Sequence, residues 1–550
     1  MKTMKYFLSM AALALVGAMT VSCSSDDNII EQPQQPETKN NVVTLTTTVS
    51  LDGGDATRAL SSTGVKTFAV GETMAIYYWK NKGNDHEKAV SAPLTEGDIT
   101  NGGKSATFTF TLDNPYKDMS VSYVYPAAMA NADFTPNYDA LYNNQDGTLA
   151  TLASNFDFCT RSGAWVGGNL PSLTLENQLA ILAITLKNEA GTSDITSSIT
   201  GLTLSDGTNT YNVNREAVAG PIYVAIFPTA DATITVTATD GTTKNYTKTL
   251  TGKNYAIGNG YPVIWKMTQV ATDLSTLTAT YTAQDGDILT GTLGSNVKIS
   301  IADGATVTLK DVTINGVNSG SYKWAGITCA GDATITLEGT NTVKGFYEDY
   351  PGIHVPEGNT LTIQGEGSLN ASDNGYSAGI GGGNYLPCGN IVINGGTVTA
   401  TGGDYAAGIG GVEGSCGAIT ISGGTVTATG GYWGAGIGSG NNGSCGAITI
   451  SGGTVTATGG NDGAGIGSGE TGSCGAITIS GGTVTATGID GAAGIGGGCN
   501  NTTCGTITIK STVTKVTATK GSYAPNSIGN GYNGSGISVN IATGANVTQN

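Results

Sequence analysis

Charge is scarce in this chain. Only 12% of its 550 residues are charged, and arginine occurs just three times, at Arg58, Arg161 and Arg215. Histidine occurs twice, at His86 and His354. Nowhere does helical periodicity run long enough to define a helix. The apolar run from Phe7 to Ala18 is too short to span a bilayer. Each shortage excludes something. A net charge of −17 repels phosphate, which argues against a nucleic-acid ligand. A polysaccharide lyase or hydrolase needs a basic residue or a carboxylate pair at productive separation. After Arg215 there is no arginine, and His354 has no evident partner. Acids in the clean repeats (Asp404, Glu413, Asp462, Glu470, Asp490) fall at variable loops. The sequence therefore reads as a binding or structural protein, not an enzyme.

Glycine, by contrast, numbers 85, and it punctuates a repeat. From Gly379 to Ser511 one phrase recurs, Ser415-Cys-Gly-Ala-Ile-Thr-Ile-Ser-Gly-Gly-Thr-Val-Thr-Ala-Thr-Gly-Gly followed by Ala435-Gly-Ile-Gly. It returns from Ser444 and from Ser473. The Ala-Gly-Ile isoleucines are Ile380, Ile409, Ile437, Ile466 and Ile495, a period of 28 or 29 residues. Such a period marks solenoids, propellers or arrays. Ile419 and Ile421 alternate with Thr420 and Ser422, and Val426 and Ala428 with Thr425, Thr427 and Thr429. A two-residue period means strands. Three short strands and three turns make one coil, and coils stacked about 4.8 Å apart make a parallel β-helix. Its usual hand is right-handed.

Five cysteines (Cys388, Cys416, Cys445, Cys474, Cys504) recur once per copy. Their separation of a whole coil gives no short metal-type pair, which excludes a zinc site of the usual spacing. Strict alternation puts Cys416 on the side of Thr420, but Gly417 allows a bend that turns it inward. The column reads first as a stack of buried thiols. Crosslinks between coils stay open, with Cys499 and Cys504 as the favoured pair.

At the N-terminus, Lys2 and Lys5 precede the short apolar run, which ends Thr20-Val-Ser-Cys23. This is where a secretory signal belongs. Residues 1–22 resemble a lipoprotein signal and Cys23 the cysteine that receives the lipid. An ordinary secretion signal with a chance cysteine is the alternative. Ser24-Ser-Asp-Asp27 resembles the acidic tether of surface-exposed outer-membrane lipoproteins, and residues 23–40 form a polar linker.

From 41 to 270 alternating runs are irregularly spaced and joined by Gly, Asp, Asn and Pro turns, an antiparallel sandwich pattern. It divides into modules 41–165 and 166–270. Thr57-Arg58-Ala59, Phe68-Ala-Val-Gly71-Glu-Thr-Met-Ala-Ile76 and Leu175-Glu-Asn-Gln-Leu-Ala-Ile-Leu-Ala-Ile184 resemble fimbrillin-like proteins. Ala225-Ile-Phe-Pro228, Gly252-Lys-Asn-Tyr255 and Tyr261-Pro-Val263 continue the likeness, which covers less than half the chain. It implies two transthyretin-like sandwiches on a surface lipoprotein, serving as pilus subunit or adhesin. In polymerising members a protease cuts after an arginine and frees a groove for another subunit's strand, a form of β-augmentation. Arg58 stands where that cut would fall. The other reading makes Thr57-Arg58 a polar turn after Asp52-Gly-Gly-Asp55. Because a β-helix follows the sandwiches, with no obvious free donor strand, the pattern suits a tip or stand-alone adhesin.

The solenoid, residues 271–550, opens with Gln284-Asp-Gly-Asp-Ile-Leu-Thr-Gly-Thr292 and Ala302-Asp-Gly-Ala-Thr-Val-Thr-Leu-Lys-Asp-Val-Thr-Ile314. This opening resembles bacterial carbohydrate-binding β-helix proteins shaped like pectate lyases. Asp285, Asp287, Asp303, Asp311, Glu348 and Asp349 could offer oxygen ligands to calcium, though solvated turn acids are the commoner case. No other cofactor is expected. Aromatics carry the ligand argument. Trp324, Tyr350, Tyr376, Tyr405 and Trp433 with Tyr432 precede their isoleucines by three to five residues, which predicts one column in one turn. Flat rings beside threonine hydroxyls suit a glycan chain. Alternatively the rings cover the strand edges beneath them, and the solenoid is a stiff spacer.

The expected molecule is an outer-membrane, lipid-anchored adhesin. Its partners would be a surface glycan and, by strand addition, other fimbrillin subunits. If the processing reading holds, mass spectrometry of the native surface protein finds a chain beginning at Ala59. An intact Arg58–Ala59 bond removes it.

Overall fold

The computed structural model describes residues 41–51, 67–80, 85–156 and 158–550. Cys23, with its signal and tether, and Arg58 lie outside the described residues. The fold is all-β, with sandwich-like sheets followed by a C-terminal β-solenoid. No described helix is long and apolar enough to cross a membrane.

The first module contains β1 (Val42–Leu51), β2 (Ala75–Lys80), β3 (Asp85–Val90), β4 (Ile99–Thr100), β5 (Ser105–Asp113), β6 (Met119–Tyr125), β7 (Cys159–Trp165) and β8 (Leu173–Asn177). They hydrogen-bond in the order β3-β2-β6-β7-β8-β1-β5-β4. Strands β7 and β8 pair only through Cys159 with Asn177 and Thr160 with Glu176. The sheet folds over at this seam, so Leu45, Phe108 and Phe110 of one half share a core with Ile76, Tyr78 and Tyr123 of the other. Alternation produces that core directly: β5 reads Ser-Ala-Thr-Phe-Thr-Phe-Thr-Leu-Asp, with Ala106, Phe108, Phe110 and Leu112 fully buried. β8 lies past the boundary expected at residue 166 and still completes the first sheet. The module therefore ends after Asn177. Two residues drive the difference: Leu173 and Leu175 pair in the ladder with Val49 and Leu51 of β1, and both pack into the core that holds Val49.

The second module has β9 (Ala180–Lys187), β10 (Gly201–Ser205), β11 (Thr210–Asn214), β12 (Ile222–Ile226), β13 (Thr229–Thr239), β14 (Asn245–Tyr255), β15 (Gly260–Lys266) and β16 (Thr268–Val270). Five form the sheet β11-β10-β13-β14-β16 and three the sheet β12-β9-β15. Their core also takes in Tyr77, Met129, Leu141 and Phe156 from the first module, so the two pack as neighbours.

Asp287 joins the sandwich to the solenoid. It is 2% exposed, and its carboxylate accepts from Thr243 Oγ1 (2.9 Å), Tyr281 Oη (2.8 Å) and the Gln284 amide (2.9 Å). Burying a carboxylate is costly unless its oxygens are hydrogen-bonded, and here both are.

Beyond it the coils stack in parallel register. Ile327, Ile353, Ile380, Ile409, Ile437, Ile466, Ile495 and Ile528 pair one onto the next. So do Val398, Val426, Val455, Val484 and Val516. Ile419, Ile421, Val426 and Ile437 are fully buried and Thr425, Thr427 and Thr429 exposed, so the period-2 pattern separates inside from outside. Each clean coil carries a fourth strand besides the three expected. Ser415–Cys416 pairs with Ser444–Cys445, then Ser473–Cys474, then Thr503–Cys504. Two residues are too few to show an alternating pattern, which is why periodicity misses it.

Glycine at one position is obligatory. Gly438 has φ +138°, and a Cβ there would stand 1.8 Å from the Gly467 carbonyl oxygen of the next coil. The same holds at Gly410 and Gly467, so coil spacing here is backbone against backbone. Gly438→Ala is expected to destabilise the solenoid by about 3 kcal/mol, combining a strained φ with a clash that only coil separation relieves. Thermal unfolding of the variant checks this; an unchanged melting temperature contradicts the stacking.

Candidate functional site

The turn before the isoleucine column carries the aromatics, and loop length decides which of them meet. Tyr376, Tyr405 and Trp433 each stand four residues before Ile380, Ile409 and Ile437. They stack: ring centroids are 5.7 Å apart from Tyr376 to Tyr405 and 4.8 Å from Tyr405 to Trp433. Tyr432 meets Trp433 edge-on at 5.2 Å. Tyr405 holds φ +71°, which turns the chain there, and its carbonyl accepts from the Asn441 amide of the next coil (2.8 Å).

Trp324 and Tyr350 stand only three residues before their isoleucines, and the expected single column breaks there. Trp324 instead packs against Tyr322 (5.4 Å) and the buried Phe346 (5.8 Å). Its Nε1 is buried without a hydrogen-bond partner. Tyr350 is half-buried in the turn whose amide bonds back to the Tyr347 carbonyl. One residue fewer in the loop rotates the ring out of line. That count was legible in the spacing.

The rings also differ from the expected row of open faces. Coplanar neighbours need roughly 6–7 Å between centroids, from a carbon–carbon contact of about 3.5–4.0 Å plus two ring radii. At 4.8 and 5.7 Å, tilted by 43° and 34°, they overlap like shingles and cover part of one another. The stack ends at Trp433, since Asp462 takes the next place and its carboxylate accepts from the Gly491 amide (3.0 Å). Within this cluster the most open ring is Tyr432, 51% exposed. Tyr523 regains the position one coil beyond Asp490, whose carbonyl accepts from its amide (2.8 Å), and is 72% exposed. Its spacing of five residues from Ile528 would have revealed it. Exposed Tyr385, also missed, hydrogen-bonds Glu413, which pushes its phenol up.

The acids considered for calcium do not converge, and no group of three metal-ligating side chains exists among the described residues. Four of them accept hydrogen bonds from a neighbouring coil. Asp285 takes the Thr306 amide, Asp303 the Asp332 amide and Asp311 the Thr340 amide, each at 2.9 Å. Asp349 accepts from Asn384 Nδ2 (2.9 Å), and Glu348 pairs with the Tyr347 hydroxyl. His354 is half-buried with Nε2 unpaired, and desolvation pulls its pKa down.

The cysteine column lies in the solenoid core, as the bend at Gly417 allows, with Cys416 6% exposed. Disulfides join Cys388 to Cys416 and Cys474 to Cys504. The expected Cys499–Cys504 pair does not form. Cys504 lies in register on Cys474, whereas Cys499 sits off the column with its thiol on Asp462.

A family described as Beta helix repeat matches residues 361–384, 391–415, 419–441, 448–470 and 477–499. The last four segments lie within the clean coils, and the first covers the coil just before them. No curated protein proved similar to the chain. Among solved structures, a fimbrial assembly protein from Parabacteroides distasonis shares 11% identity at TM-score 0.23, over 41% of this chain and 91% of its own. A protein from Bacteroides ovatus assigned provisionally to cell adhesion shares 14% at TM-score 0.25, over 42% and 95%. The tip fimbrial protein of Porphyromonas gingivalis, truncated at its C-terminus, shares 11% at 0.17, over 42% and 82%. Scores this low carry no argument about function.

Asp373 anchors the loop under Tyr376, accepting from the Gly375 (2.7 Å) and Ser377 (2.8 Å) amides. Burial nonetheless pushes its carboxyl up to about 6 from 3.8. A raised folded-state pKa means the neutral acid is favoured on folding. Its stabilising effect is therefore complete below about pH 4 and is lost as pH rises through 6. Asp373→Asn keeps an acceptor oxygen without the charge. It is expected to add on the order of 2–3 kcal/mol above pH 6 and to flatten that pH dependence. Denaturant unfolding at pH 4 and 8 tests this; equal loss of stability at both contradicts it.

Proposed function

We propose that this chain is a surface adhesin whose solenoid contacts glycans through the end of the aromatic stack. The observation that carries the reading is the ring cluster Tyr376–Tyr405–Trp433, continuous over three coils and reaching the surface at Tyr432. Tyr432 offers its open side and Trp433 the free end of the stack, a pair suited to the C–H face of a sugar ring. The exposed threonines of the strand that leads into this turn, Thr425, Thr427 and Thr429, supply hydroxyls for polar contacts. The protein acts by binding and not by catalysis: residues 345–509 contain no lysine or arginine, and no acid there is paired with a base. It sits on the outer membrane through a lipid at Cys23.

The sandwich supports a second contact, with other subunits of the same kind. β1 lies inside its sheet, pairing with β5 through nine residues and with β8 through three. Arg58 follows β1 in sequence, so a cut after it would leave β1 held noncovalently, by its ladder hydrogen bonds and the core packing of Leu45 and Val49. Departure of β1 opens a strand-wide groove between β5 and β8, fit for another subunit's strand.

The rival reading is a stiff spacer in which the rings merely tie loops together, and their overlap favours it. A glycan array with the intact chain separates the two. Binding that falls at least tenfold in Trp433→Ala and in Tyr432→Ala supports the adhesin. Absence of any bound glycan, or affinity unchanged in both variants, leaves the spacer.

A further inference from the structure

The five column cysteines are successive neighbours. Cys388 bridges to Cys416, Cys416 pairs with Cys445, Cys445 with Cys474 and Cys474 with Cys504. The bonded pairs have Cα separations of 4.4 and 4.5 Å, and Cys445 is left between them as a thiol. In a parallel ladder every step is one strand spacing, about 4.8 Å, and disulfides accept Cα separations of about 4.4–6.8 Å. The unbonded pairs Cys416–Cys445 and Cys445–Cys474 therefore fit as well as the bonded ones. The steps are closely alike: glycine follows every one of the five cysteines, and serine precedes Cys416, Cys445 and Cys474, with Pro387 before Cys388 and Thr503 before Cys504.

We propose that the disulfides of this column change partners along it, so that the free thiol travels from Cys445 and emerges at Cys504, a modification site for soluble disulfides. In the step, the Cys445 thiol gives up its proton and its sulfur attacks Sγ of Cys474. The Cys445–Cys474 bond forms, the Cys474–Cys504 bond breaks, and Cys504 leaves with the electron pair and takes up a proton. One thiol and one disulfide become one disulfide and one thiol in every case, so no oxidant is consumed. A column also sets attacking, central and leaving sulfurs in a row. Cys504 is the one member not fully buried; the others are 2–7% exposed. There its thiolate can attack a soluble disulfide, forming a mixed disulfide and releasing the other half as a thiolate. Burial pushes the Cys445 thiol up to about 12, which keeps exchange slow and each register long-lived.

Counting makes the proposal sharp. Two bonds between neighbours in a row of five leave one member over, and it must be the first, third or fifth. The thiol can stand at Cys388, Cys445 or Cys504, never at Cys416 or Cys474. The test incubates the full chain with an aromatic disulfide such as dithionitrobenzoate, quenches with acid, unfolds, alkylates and maps peptides without reduction. The expected result is a column thiol shared among Cys388, Cys445 and Cys504, with the aromatic cap accumulating on Cys504. A thiol confined to Cys445 throughout, or alkylation of Cys416 or Cys474, overturns it. Cys445→Ser leaves two closed pairs and no column thiol, so capping of Cys504 should vanish; capping that persists also overturns it.

Discussion

Backbone hydrogen bonds from each coil to the next, in a parallel register shifted only locally after Thr290 and after Thr458, are the constraint on which the molecule depends. They run from Thr272 paired with Leu289 to Val516 paired with Val547. Once that register holds, a sequence position becomes a column: isoleucines inside, threonines outside, cysteines along one corner, rings along one turn. No coil can bury its apolar side alone, so stability belongs to the array. Glycine sets the closeness. Where backbone lies on backbone, as at Gly410, Gly438 and Gly467, no side chain could be admitted without parting the coils.

Much of this was legible because a strict repeat writes its geometry into the sequence. Ile419, Thr420 and Ile421 announce a strand by alternation, and the recurring Ile-Gly announces the stacking step. The sandwich was harder to read. Its β8 follows a Pro171 turn and looks like the start of a new module, but Leu173 and Leu175 find their partners in β1, more than a hundred residues earlier. Long-range pairing of that sort leaves no local trace. Nor could a two-residue strand such as Ser415–Cys416 show a period.

The aromatic turn shows how little separates a column from two clusters. Tyr376, Tyr405 and Trp433 share a four-residue spacing to isoleucine and stack; Trp324, with three, joins Tyr322 and Phe346 instead. The spacing was visible, but its consequence depends on loop conformation, where one residue redirects a ring. Ring overlap was legible nowhere in the sequence, because it follows from the coil spacing being shorter than a ring is wide. The same short spacing that limits the open faces of the rings brings successive cysteines within bonding distance.

The central claim is that equivalent positions lie one above another. It is tested most directly by a distance between spin labels at Thr399 and Thr517, outward positions four coil steps apart in register. Stacked coils place their Cα atoms roughly 19 Å apart, four strand spacings of about 4.8 Å. A separation well beyond that, as blades around an axis or independent hairpins would give, contradicts the account.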